Sequence, residues 1–178
     1  MLKTTPTHCP DAEVIIRLAG LVLEEALALG LSDGNHRGGY LCIADNMTGE
    51  SLDVAKLGSP DPAKEGRYEM LAKEKAWRLA GHPEHGTSYQ SRDPGRDLWG
   101  GAVRAGSHIL AFSGLPEHLD EALMLVVARA YLGWMDADVV HRCATMAELS
   151  GNELYGRLHV DLSQQVRFAL LGGKRVSA

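Results

Sequence analysis

Several things are scarce in this chain, and each scarcity excludes a class of protein. Aromatic residues make up 6% of its 178 residues, with only two Phe, so the core must rest on Leu, Val, Ile, Ala and Met. The three cysteines, Cys9, Cys42 and Cys143, are an odd number without CxxC spacing. That fits a reducing cytoplasm better than a disulfide scaffold. There is no Lys/Arg excess: the formal net charge is −5, which argues against a nucleic-acid-binding face. There is also no long uninterrupted apolar run. The most apolar stretch, Val14–Leu31, is broken by Arg17, Glu24 and Glu25, so it reads as a core-packing helix rather than a membrane span or a signal peptide. No low-complexity segment or linker divides the chain, and its length suits one domain with a sizeable core.

What is present is a unit that occurs twice, a β-hairpin running straight into an amphipathic helix. The first copy is Gly39–Gly58 followed by Pro62–Gly81, and the second is Leu98–Gly114 followed by Pro116–Trp134. A helix from Ala12 to about Leu29 precedes them, with Asp11 as its cap, an apolar stripe through Ile15, Leu18 and Val22, and Gly30 as its stop. Tyr40–Asp45 reads as a central strand, apolar on both faces. Asn46–Gly49 is the turn, and Ser51–Leu57 the return strand, with Leu52 and Val54 on one face. Asp61 and Pro62 open the next helix. It carries Tyr68, Leu71, Ala72, Lys75, Ala76 and Leu79 and stops at Gly81.

The segment His82–Arg96 is polar and rich in Gly and Pro, with a short strand expected at Thr87–Gln90. Trp99–Arg104 and His108–Ser113 are strands joined by a tight turn at Gly106. The helix Glu117–Trp134 carries Glu117, Asp120 and Glu121 in its first turns, where negative charge suits the helix dipole. Two more amphipathic segments follow, Asp138–Leu149 and Asp161–Leu171. Residues 11–136 therefore form the main body and 137–178 a C-terminal helical extension of the same domain.

These residues resemble the GlcG/HbpS-like family, which includes the C-terminal domain of PduO-type proteins. The resemblance is carried by Leu41-Cys-Ile-Ala-Asp45 with its turn ending at Gly49, by the Lys75-Ala76 pair, by Gly100-Gly101 and Gly106, and by Ser113-Gly114 ahead of Asp120-Glu121. It covers about Ala12 to Trp134. It implies an α+β fold: an antiparallel sheet of about five strands flanked by helices, in a profilin- or PAS-like arrangement. It further implies homo-oligomers and a role as an accessory or sensory protein that binds a small molecule, heme or a corrinoid-type cofactor in particular; some relatives carry the label heme-degrading. The chain departs from the family pattern at Ala55–Pro60 and at Ala102-Val103-Arg104, and its first helix holds no His that could ligate heme iron.

The candidate cofactor-binding residues follow. His82-Pro-Glu-His85 is the densest set of metal-capable side chains, and imidazole nitrogens can ligate heme iron or a divalent metal. Gly81 and Pro83 put it in a loop, and no Cys or third His follows at a known ligand spacing, so a solvated loop is the competing reading and no dedicated metal centre is expected. Gly100 and Gly101, beside Trp99, either let backbone approach a ligand or make a tight packing contact. Ser113 precedes a helix start that can present N–H groups to an anion, or simply forms the strand–helix elbow. His108, after the tight turn, either faces a pocket or lies half-exposed at an edge. His36 has the same standing. Arg92, Asp93 and Arg96 share one loop and can meet an anionic ligand.

No catalytic set stands out. Ser113 lacks a nucleophile elbow, and no acid–base pair is evident. The leading expectation is thus a homo-oligomeric, small-molecule-binding protein, with no membrane or nucleic-acid partner. The pocket is expected near Trp99–Arg104 and the His82–Arg96 loop. The alternatives are an enzyme acting on heme or a small organic ligand, and an oligomeric scaffold whose C-terminal helices make contacts.

Overall fold

The computed structural model describes residues 9–159. The elements run α1 (Ala12–Ala28), β1 (Gly38–Asp45), β2 (Ser51–Gly58), α2 (Glu65–Ala80), two 3₁₀ turns (Ser88–Ser91 and Pro94–Arg96), β3 (Ala102–Ala105), β4 (His108–Ser113), α3 (Glu117–Leu132) and α4 (Ala137–Ser150). Residues 153–159 add a further helical stretch. The expected helix at Asp161–Leu171 lies outside the described residues.

The four strands form one antiparallel sheet in the order β2-β1-β4-β3. The two hairpins are thus neighbours, joined along β1 and β4. Period-2 alternation splits their side chains between two cores. Leu41, Ile43, Val103, Leu110 and Phe112 face α1 and α3, and this larger core extends to Val139, Cys143, Tyr155 and Leu158 of the C-terminal extension. Cys42, Ala44, Ala102, Ile109 and Ala111 face the other way, against Ala72, Ala76 and Leu79 of α2. Small residues on that face let a single helix lie close to the sheet. α3 is buried on every side from Leu119 to Arg129, because the sheet, α1 and α4 all pack around it.

The sheet has four strands where about five were expected. The segment expected as a short strand at Thr87–Gln90 pairs only through Thr87, which bridges Val103. It then coils into a 3₁₀ turn, where Thr87 and Gln90 form a reciprocal capping box. Trp99–Arg104 becomes extended only at Ala102, since Gly101 sits at φ +115°. α2 starts at Glu65 rather than Pro62, because Lys64 N–H bonds Asp61 O in a tighter i→i+3 turn first. Leu52 does not share a face with Val54. A bulge in the β1–β2 ladder opposite Ile43 and Ala44 shifts the register. Leu52 packs on the larger core, while Val54 is left exposed. Asp136 caps α4, accepting from the N–H groups of Asp138 and Val139.

Among the described residues, no helix is long and apolar enough to cross a membrane. The three cysteines are free thiols and all are buried.

Candidate functional site

α2 crosses the sheet with Lys64, Arg67, Tyr68, Leu71 and Lys75 on one side. Spacings of three and four residues bring them into a row. That row meets the end of β4 and the first turns of α3, and between them lies a cavity of about 290 Å³. Trp99, Ser113 and Glu117 complete much of its wall, and His36 stands at its rim.

Its floor is an ion pair. Lys75 Nζ donates to Asp120 Oδ2 at 2.9 Å and to the carbonyl of Phe112 at 2.8 Å. The other oxygen of Asp120 accepts from Leu115 N–H at 3.0 Å. Both side chains are 2% exposed. Burial pushes the Asp120 carboxyl up to about 6, against the pull of the Lys75 ammonium. Gly101 makes room for the pair: a Cβ there would lie 2.8 Å from Asp120 Cβ and 2.9 Å from Lys75 Nζ.

Around the rim the carboxylates are already engaged. Glu117 accepts from Gly100 N–H at 2.7 Å and takes both Nε and Nη2 of Arg92, at 3.0 and 2.8 Å. Burial works against its charge, but the Arg92 guanidinium and the Gly100 amide outweigh it and hold the carboxyl below its usual range. Asp97 accepts from the Trp99 indole N–H and from Arg67. Those two partners, Trp99 first, keep it low as well.

The candidate residues thus divide. Trp99 and Ser113 line the cavity. Gly100 and Gly101 sit behind it as close packing contacts, Gly100 against Tyr89 and Gly101 against the ion pair. Arg92 is committed to Glu117 and lies 5.0 Å over the Tyr89 ring. His108 is buried, not half-exposed. It stands at the far end of β4 from Ser113, about 17 Å away at ~3.4 Å per residue, and on the α1–α3 face. Its Nε2 is 3.3 Å from Cys9 Sγ and its Nδ1 3.3 Å from Ser107 Oγ.

His82 and His85 come together beyond the end of α2. Their rings stack at 4.7 Å and 15°, and Glu84 Oε1 lies 3.3 Å from His82 Nδ1 and 3.4 Å from His85 Nε2. Neither histidine lines the cavity over Lys75, nor a second one of about 470 Å³ beside α4. As placed, His82, His85 and His108 do not frame a slot for a flat macrocycle. Two of them stack on each other, and the third has a partner at each ring nitrogen.

Lys75, Asp120 and Glu84 were not singled out as site residues by the sequence. For Lys75 a signal existed: it occupies a stripe position between Ala72 and Ala76, where an apolar residue belongs. Comparison of the chain with protein-family models, with curated proteins and with solved structures finds no match.

Proposed function

We propose that this chain is a non-catalytic, cytoplasmic, homo-oligomeric module of accessory or sensory type, binding a small anionic molecule in the cavity over Lys75. The observation that carries this reading is the buried Lys75–Asp120 pair on the cavity floor. Taking two charges out of water costs several kcal/mol per ion, and well-packed apolar residues often serve stability as well or better. A pair kept at the base of a cavity is better explained by what it offers a ligand. The ammonium has three N–H donors, of which Phe112 O and Asp120 use two. The third serves an acceptor in the cavity. Glu117 and Asp120 are each paired with a cation, and at the entrance Arg67 is shared with Asp97 and Lys64 stands 3.8 Å from Asp61. What the cavity adds for a ligand is the N–H donors of Lys75, Lys64 and Arg67, which suit the oxygens of an anion. The volume lies at the lower end of the ~300–1,000 Å³ of small-molecule sites, which favours a metabolite-sized ligand over a porphyrin.

Thermal unfolding in the presence of a panel of small carboxylates and inorganic phosphate tests the reading. A true ligand raises stability in proportion to the logarithm of its concentration above Kd, by about 2.7 kcal/mol at a hundredfold excess over Kd. Lys75→Met should abolish the shift. Arg67→Glu, at an exposed rim position that the fold does not need, should weaken it. A panel in which no compound raises stability in a concentration-dependent way would sink the proposal. Hemin titration examines the heme implied by the family resemblance: a saturable Soret shift that His82, His85 or His108 variants remove would move the ligand site away from Lys75.

A further inference from the structure

We propose that the loop after α2 is a divalent transition-metal site, with Zn²⁺ its best-matched ion, held by His82 Nδ1, Glu84 Oε1 and His85 Nε2. The three side chains place one donor atom each within 4.8 Å of one another. The two edges that meet at Glu84 measure 3.3 and 3.4 Å. Tetrahedral zinc with bonds of about 2.0–2.1 Å has ligand–ligand edges of about 3.3–3.4 Å. Two of the three edges therefore already match what the ion requires; the third lies within 4.8 Å, and the stacked imidazoles turn on binding to aim both lone pairs at one ion. Two imidazoles and one carboxylate are a donor set that suits zinc over calcium or magnesium, which take oxygen ligands. Three protein ligands leave a fourth position for water.

The loop is also held in shape from behind. Arg104, on β3, donates Nε to His85 O at 2.8 Å and Nη2 to His82 O at 3.0 Å and Leu79 O at 2.7 Å. His85 N–H closes the turn onto His82 O at 2.9 Å. One guanidinium thus fixes the backbone at both histidines and at the end of α2. A freely solvated loop would have to lose conformational entropy on binding; this one is ordered before the ion arrives. Arg104 makes these contacts through backbone carbonyls and touches no donor atom, so it is a positioning residue. The site shares no lining residue with the Lys75 cavity and stands independently of the ligand proposed there.

Isothermal titration of Zn²⁺ into the full chain, free of any polyhistidine tag and stripped with chelator, tests the assignment. We expect one ion per chain, and with Co²⁺ the intense visible bands of a four-coordinate complex. The triple variant His82→Ala/Glu84→Gln/His85→Ala should lose the ion while keeping its far-UV circular dichroism, because the changes fall in a partly exposed loop outside the packed cores. Arg104→Met keeps all three donors yet should weaken binding by about tenfold. Because Arg104 supports the fold as well, the comparison is made only if its circular dichroism is native. Unchanged stoichiometry and affinity in the triple variant, or no saturable binding to the wild-type chain, would overturn the proposal.

Discussion

Lys75 Nζ and Asp120 Oδ2 stand 2.9 Å apart across the gap between α2 and α3, each side chain all but buried beneath the cavity. The pair ties the helix on one face of the sheet to the helix on the other, passing the end of β4 through the Phe112 carbonyl. Removing one partner strands a charge in the interior, which costs about 3–5 kcal/mol. Lys75→Met should therefore lower the free energy of urea unfolding by that amount. Lys75→Met/Asp120→Leu should recover most of it, since no charge is left unpaired. If the double variant were no more stable than the single one, the loss would reflect packing rather than the stranded carboxylate.

The same carboxyl gives stability a pH dependence of unusual sign. Burial raises Asp120 to about 6 from 3.8. Between those values the folded chain keeps a proton that the unfolded chain has already released, so each step up in pH favours unfolding. The stabilisation is complete below about pH 4 and lost as pH rises through about 6. Glu117 works the other way: its lowered carboxyl stabilises above its ordinary value and loses that contribution as pH falls. Wild type alone shows the sum. Asp120→Asn stays neutral throughout, so its unfolding free energy should lack the decline that wild type shows across this window. Parallel curves for the two proteins would contradict the assignment.

How much of this could be read from the chain differs from element to element. The hairpins and helices were legible because their signals are local: alternation at His108–Ser113, helical spacing through α1 and α3, turn chemistry at Asn46–Gly49. The capping box at Thr87–Gln90 was present in the sequence as well, and outweighs the weak strand signal there. The floor of the cavity was less accessible. Asp120 in the first turns of α3 looks like a solvated residue placed for the helix dipole. Its true partner lies 45 residues away on the opposite side of the sheet. Glu121, next to it, is also fully buried, held by Thr87 and Asn152. Only the pairing of β1 with β4 brings these groups together, and sequence spacing does not encode it.

Two glycines should respond to alanine in opposite directions. Gly20 lies mid-way along α1, where an added Cβ would meet nothing within 4 Å. Gly20→Ala should stabilise by about 0.5–1 kcal/mol, since glycine inside a helix carries that cost. Gly101 sits at φ +115° with the ion pair against it. Gly101→Ala should destabilise by roughly 1–3 kcal/mol from backbone strain, with a further loss from displacing Lys75. Chemical denaturation of the two variants beside wild type checks both signs.

The thiols should be nearly inert in the folded protein. Burial raises all three, Cys143 to about 11 and Cys9 and Cys42 in the same direction. The thiolate is the reactive form, so at neutral pH each native cysteine combines a small thiolate fraction with closed access. Cys42 is sealed in the α2 core and Cys143 sits on the buried face of α4, so their labelling requires global or sub-global opening. Cys9 sits near the beginning of the described chain, against His108 and below Tyr131. Opening of residues 9–11 alone frees it without unfolding the sheet. Alkylation followed by mass spectrometry should therefore show a graded order in native buffer, with Cys9 modified first and Cys42 and Cys143 far more slowly. All three should react at one fast rate in urea. Rapid native labelling of Cys42 would mean that α2 does not stay closed on the sheet, and the cavity over Lys75 would then have no fixed wall.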